Sequence, residues 1–275
     1  MNTQSAQQYY AKDQWDVESW VDVIAIEYES LVTAYPFAEK LQGLSKQGSL
    51  RLLDVGCGTG IFPTYLDPTL PENILFFADL LDLSAASIRE ASKVFDSLSH
   101  FRVQDTYKSL IEDIPKSLPN IKGRYDVIWA IHSITTVDIQ SMRAVYAHLI
   151  DALAPNGYLY IYQLTAQASY QKIHNYYLSH HPNGLETLRY MQFEDTQEIL
   201  DSLGAEYEVH QLRFNHAIND DQPAVLSKYL QKCVLDDDVD AIEFFTPILE
   251  DFHDSQAGKY LFPQYVNFIV VVKTE

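Results

Sequence analysis

Residues 50–60 read Leu-Arg-Leu-Leu-Asp-Val-Gly-Cys-Gly-Thr-Gly, an apolar strand that runs through an acid into a loop with glycine at every second position. Glycine reaches positive φ without a Cβ clash and lets a ligand approach the backbone closely. A strand that enters such a turn and opens a helix is the ligand-binding crossover of an open α/β sheet. The dinucleotide fingerprint G-x-G-x-x-G requires glycine at position 61, where this chain has Ile61. The spacing here is G-x-G-x-G, with Asp54 two residues ahead of Gly56.

The rest of the chain supplies the alternation that an open parallel sheet needs. Leu50–Val55, Ile74–Leu81, Phe101–Val103, Tyr125–Ile131 and Tyr158–Tyr162 read as strands. Ser84 is placed to cap a helix whose apolar positions are Ile88, Ala91 and Phe95. A second helix follows Tyr125–Ile131 and ends at Pro155-Asn156-Gly157. Asp195-Thr196-Gln197-Glu198 marks the start of another, closed at Gly204. Tyr207–Phe214 and Tyr265–Val272 are expected to form an antiparallel edge. The expected fold is therefore a Rossmann-like α/β sheet of seven strands, the last antiparallel. Residues 1–275 are read as one domain, with a core of 49–162, 193–214 and 263–275. Segments 1–45, 163–192 and 215–262 exceed ordinary α/β connections and read as a helical substrate cap.

Composition narrows the partners. The formal charge is -19, from 38 acidic and 19 basic residues, which disfavours nucleic acid and anionic membrane surfaces. No apolar run approaches the length of a spanning helix. Met1–Ser5 has neither a basic nor an apolar signal region. With two cysteines and no disulfide framework, a cytoplasmic setting is expected. His174, His180 and His181 lack companions at ligand spacing, so no metal is expected.

Asp54 with Gly56, Cys57, Gly58 and Gly60 resembles motif I of class I S-adenosylmethionine-dependent methyltransferases. Four further elements follow in that family's order. Asp82-Leu83 stands at the end of the second strand, where the family's acid takes both ribose hydroxyls. Asp79 is the rival, inside the apolar run. Gln104-Asp105-Thr106 stands where the adenine is held, Ile131 lines the cofactor pocket, and Leu153–Gly157 resembles the L-x-P-x-G turn before strand five. The resemblance implies S-adenosylmethionine as cofactor and a small molecule or short peptide as acceptor. Cys57 occupies a variable position of the loop and is not expected to act as a nucleophile.

Beyond the cofactor half the chain resembles the histamine N-methyltransferase family, at Val17–Trp20, Lys40–Leu44, Tyr125–Ile139, Gly258–Phe262 and Asn267–Val270. That resemblance implies Glu29 as the residue holding an amine, with Tyr10 and Trp20 on aromatic pocket positions. It also implies substrate contacts from His132 and Gln264, and an aromatic lid that includes Tyr170 and His174. His132 stands in place of an amide, and Thr135-Thr136 in place of two aromatics, which implies a different acceptor. Glu29, His132 and Gln264 are the expected catalytic set, with Thr136 on the pocket wall. Glu29 or His132 would take the proton released by an amine or imidazole-like nitrogen. Carboxyl O-methylation of a short peptide or natural product, in a tailoring pathway or a methyltransferase/prenyltransferase fusion, is the alternative. A turn for flipped adenine, D/N-P-P-aromatic, is replaced by His132-Ser133-Ile134-Thr135.

Overall fold

The computed structural model describes residues 9–10, 18–44, 48–182, 184, 187 and 189–274, the side chains of 18–22 apart. Two helices come first, α1 (Glu18–Ala34) and α2 (Phe37–Leu44). The first half of the sheet follows as β1 (Ser49–Val55), α3 (Ile61–Leu66), β2 (Leu75–Asp82), α4 (Ala85–Ser97) and β3 (Phe101–Lys108). Next come the single turn α5 (Ile114–Ser117), β4 (Tyr125–Ala130), α6 (Ile139–Ala152) and β5 (Leu153–Leu164). The remainder is α7 (Ser169–His180), α8 (Phe193–Ser202), β6 (Tyr207–Asn219), α9 (Pro223–Val234), α10 (Ala241–Leu249), the short β7 (His253–Asp254) and β8 (Lys259–Val272).

The strands lie in the order β3-β2-β1-β4-β5-β8-β6, with β7 pairing only β8. The first five run parallel, and β8 is antiparallel to both β5 and β6. Period-2 alternation sorts the strand side chains onto two faces. Leu52, Ala78, Trp129, Tyr160 and Phe268 pack on one face with α1, α3 and α4. Leu53, Leu81, Ile128, Ile161 and Ile269 pack on the other with α6 and α8. A third apolar cluster joins α7, α9 and α10 to Ile218 and Phe262, at the far ends of β6 and β8.

β5 begins at Leu153 rather than Tyr158, and the sequence-based boundaries change at three further places. β3 extends to Lys108 rather than stopping at Val103, and its outer residues Gln104, Asp105 and Thr106 are exposed. Its polar side chains hide an edge strand from any hydrophobic pattern. α8 begins at Phe193, with Gln192 and Asp195 in a reciprocal capping box, so Asp195 is the third helical residue rather than the cap. β6 and β8 continue past Phe214 and Tyr265, pairing without interruption from Tyr207↔Val271 to Asn219↔Lys259. Ser84 caps α4 as expected, accepting from the Ser87 amide at 3.1 Å. Among the described residues no helix is long and apolar enough to cross a membrane.

Candidate active site

A cavity of about 250 Å³ opens at the carboxyl ends of β1, β2 and β4 and runs up to α9 and β8. The glycine loop forms its floor. Gly56 has φ 73°, and a Cβ there would meet the Ser133 Cβ at 2.4 Å, so the turn and the loop after β4 close on each other only through glycine. Gly58 has φ 52° and open space where a Cβ would point. Gly60 lies behind the lining and packs on Ala91 of α4. Cys57 lines the floor, but burial, reinforced by Asp54 and Asp82, pushes its thiol far above the ordinary range. It is inert as a nucleophile.

Two acids frame this floor. Asp82 Oδ2 accepts from the Gly58 amide at 3.0 Å and Oδ1 from the Ser84 amide at 2.8 Å. Burial raises its pKa, and those backbone donors work in the opposite direction. The rival Asp79 is a structural ion, buried beneath the Tyr125 hydroxyl at 2.6 Å and the Arg124 guanidinium at 2.7 Å. Asp54 is buried beside Trp129. Desolvation, with repulsion from Asp82, pushes its carboxyl up to about 7, against the pull of the nearby indole N–H, which does not reach hydrogen-bond geometry. Leu83 and Ile131 line the cavity as expected. Gln104, Asp105 and Thr106 do not. Because β3 runs five residues longer than expected, it is Ser109–Glu112 that line the cavity after this strand.

At the other end the chain builds a carboxylate between two imidazoles. Glu27 lies on the buried stripe of α1 with Val23, Ile24, Tyr28 and Leu31. Its Oε2 accepts from the Tyr162 hydroxyl at 2.6 Å and faces His132 Nε2 at 3.0 Å. Its Oε1 faces His216 Nε2 at 2.7 Å, a charge contact without hydrogen-bond geometry. Burial alone would raise the Glu27 carboxyl, but His132 and His216 outweigh it and hold the pKa well below the usual carboxylate range. An ionised carboxylate only accepts, so the nitrogens facing it carry hydrogens. His132 sits at the tip of β4 with φ 59°. That backbone costs about 1–2 kcal/mol in a residue with a Cβ. The ring is pinned by Tyr162 and Tyr28, at 4.2 and 5.1 Å between centroids. Among the described residues nothing bonds its Nδ1, on a side chain that lines the cavity.

Gln264 also lines the cavity and is 1 % exposed. Its Nε2 donates to the Phe262 carbonyl at 3.3 Å and the Tyr229 hydroxyl at 3.2 Å. That orientation leaves a buried Oε1 with no partner among the described residues. Tyr10, Thr136 and Tyr170 line the walls, Tyr170 donating to the Lys232 carbonyl at 2.9 Å. Lys232 itself is buried in the lining, 5.9 Å from the Tyr9 ring.

Two further expected residues fall elsewhere. Glu29 is exposed, on the opposite side of α1 from Glu27, since two residues turn a helix by about 200°. His174 is buried outside the cavity, stacked on Tyr190 with 3.4 Å between ring centroids. The Trp20 side chain lies outside the described residues. Glu27 was nevertheless legible. It is the one acid among Val23, Ile24, Tyr28 and Leu31, all at helical spacing.

A family model described as a methyltransferase domain matches residues 29–210. Malonyl-[acyl-carrier protein] O-methyltransferase 2 of Ilyobacter polytropus is 27% identical over 150 residues, 54% of this chain and 52% of that protein. The chain thus spans about half the length of this curated relative. Two solved structures share the fold. An S-adenosylmethionine-dependent methyltransferase from Methanosarcina mazei aligns with a TM-score of 0.52 at 14% identity, covering 88% of this chain and 99% of that one. Magnesium protoporphyrin IX methyltransferase from Synechocystis PCC 6803, solved with bound S-adenosylhomocysteine, aligns with a TM-score of 0.52 at 11% identity, covering 97% and 98%.

Proposed function

We propose, from the premise that this chain belongs to the methyltransferase-domain family and is an S-adenosylmethionine-dependent methyltransferase, that it methylates a nitrogen of a small amine or imidazole-like molecule. The observation that carries this reading is the Glu27–His132 pair: His132 lines the cavity, its Nε2 faces a buried carboxylate, and its Nδ1 has no partner among the described residues.

The cofactor fits the residues at the floor. Asp54 is a buried acid whose charge lacks a cation, which suits an ammonium group. Asp82 offers a carboxylate fixed by two amides, which suits a pair of hydroxyls. Gly56, Cys57, Gly58, Leu83, Ile131 and Ser109–Glu112 complete that set, with Gly60 behind it. Bound there, S-adenosylmethionine supplies an electrophilic methyl group. The protein's own contribution is to orient the acceptor and exclude water, worth about 7–11 kcal/mol in well-aligned reactions.

His132 Nδ1 takes the proton that a nitrogen nucleophile must lose, while Glu27 fixes the other ring hydrogen on Nε2. The imidazolium formed lies against an ionised Glu27, which stabilises it. Gln264 Oε1 accepts from a second N–H of the acceptor, ending its isolation in the wall. Tyr10, Thr136 and Tyr170 shape the rest of the pocket beneath a cap formed by α7, α9 and α10. Glu29, exposed, takes no part.

A second reading, carboxyl O-methylation, is favoured by the buried Lys232 in the lining and by the O-methyltransferase relative. A carboxylate arrives without a proton to lose, so His132 would serve only as a donor. The test uses methyl-labelled S-adenosylmethionine with panels of amines, imidazoles and carboxylic acids. A labelled product that survives alkaline treatment supports nitrogen, and one that hydrolyses is an ester and overturns it.

A further inference from the structure

Behind the reacting groups stand two side chains, His216 and Tyr229, that the reaction above does not require. Behind Glu27, His216 of β6 is 2 % exposed. Its Nε2 faces Glu27 Oε1 at 2.7 Å and its Nδ1 lies 3.0 Å from the Tyr229 hydroxyl of α9. Gln264 Nε2 approaches the same hydroxyl at 3.2 Å. Donor and acceptor roles follow from the ends. The Gln264 amide donates to Tyr229, whose own hydroxyl hydrogen lies within reach of His216 Nδ1, and His216 carries a hydrogen on Nε2 because that nitrogen faces the ionised Glu27. Burial holds Tyr229 well above the ordinary phenol range, so that hydroxyl keeps its proton.

We propose that His216, set by Tyr229, is a positioning residue that clamps Glu27 and thereby fixes His132 with hydrogen on Nε2 and a free Nδ1. The proposal rests on the reading of His132 as base. Four elements besides β4 meet at this carboxylate: α1 with Glu27 and Tyr28, β5 with Tyr162, β6 with His216, and α9 with Tyr229 and Cys233. Tyr162 and His132 both address Oε2. His216 is alone on Oε1 among the described residues, so without it the carboxylate can turn away from His132 and leave Nε2 without the acceptor that demands its hydrogen. Acceptor-side helix and catalytic imidazole are coupled through this one contact. An assembled cap is then a condition for a correctly prepared base, since α9 supplies the hydroxyl at the far end.

Long-range proton–nitrogen correlation spectra of the full chain with labelled histidine, at pH 8, read the ring tautomers directly. The His132 signals are assigned by their loss in His132→Gln. In the wild type His132 should show one protonated and one bare nitrogen. In His216→Leu the two nitrogens should converge as both tautomers populate. In His216→Gln, whose side-chain amide can still donate to Oε1, they should separate again. Tyr229→Phe removes a single oxygen, leaves the packing intact and should give intermediate convergence, which guards against a leucine variant that fails to fold. Labelled methyl transfer to the acceptor found in the panels should fall about tenfold to a hundredfold in His216→Leu and recover in His216→Gln. Unchanged His132 nitrogens in both His216→Leu and Tyr229→Phe would overturn the clamp. Full methyl transfer by His132→Gln, with the tautomer effects present, would instead remove the base reading and leave the clamp standing.

Discussion

The floor and the wall of the cavity are built on opposite plans. The floor is local: Asp54, Gly56 and Gly58 lie within five consecutive residues, and Asp82 reaches them through the Gly58 amide. Backbone donors and glycine geometry do its work. The wall gathers Glu27, His132, Tyr162, His216, Tyr229 and Gln264 from six separate elements, and side chains do its work. A site made from one loop can be kept while the chain around it changes. A site made from six elements exists only when the entire fold is in register, so it is where a particular acceptor can be specified.

If the two ends are separable, each variant should damage one of them. The largest effect is expected from His132→Gln: methyl transfer falls by about 10²–10⁴-fold, while calorimetry finds S-adenosylmethionine binding unchanged. A parallel loss of cofactor affinity would break the division. Next is Glu27→Gln, which leaves two imidazoles facing a weaker acceptor and should cost on the order of 3 kcal/mol in denaturant unfolding at pH 7. The Glu27 pKa is depressed in the fold, so its stabilisation is present above the ordinary carboxylate range and disappears as pH falls through the lower folded value. The gap between wild type and Glu27→Gln should close on acidification.

Asp82→Ala should weaken S-adenosylmethionine binding by about 1.5–3 kcal/mol without changing the His132 ring tautomer. Smaller still is the pH effect at Asp54, whose carboxyl is lifted to about 7. A cationic ligand favours the ionised form, so binding should release a proton, and affinity should fall by up to about tenfold per pH unit below 7. Calorimetry in buffers of different ionisation enthalpy measures that proton, and Asp54→Asn should abolish it. Glu29→Gln should change neither activity nor stability beyond about 0.5 kcal/mol.

The same contrast explains what could be read in advance. Asp54, the glycine loop, Asp82, Leu83 and Ile131 were legible because their spacing is itself the geometry. Gln104–Thr106 missed the cavity because β3 is an edge strand whose polar side chains conceal its length. Glu29 came from a resemblance, whereas the helical stripe Val23, Ile24, Tyr28, Leu31 points to Glu27 without one. His216 gives no local signal at all. It faces Glu27 only because β6 continues against β8 beyond the parallel sheet, a pairing between residues far apart in sequence. The resemblance points to His174 as a lid residue, but an aromatic that stacks on Tyr190 and one that faces a substrate look alike in a sequence.

That unbroken β6–β8 ladder imposes a parity on how the cavity can change. His216 and Gln264 both reach the cavity from it, two rungs apart, at His216↔Phe262 and Phe214↔Gln264. Adding or removing one residue in either strand would turn every later side chain to the opposite face. Matched steps of two in both strands would keep the inward set inward and move the helices above by about 7 Å. A protein built this way can raise or lower its roof only by whole pleats, so the depth available to an acceptor comes in discrete sizes.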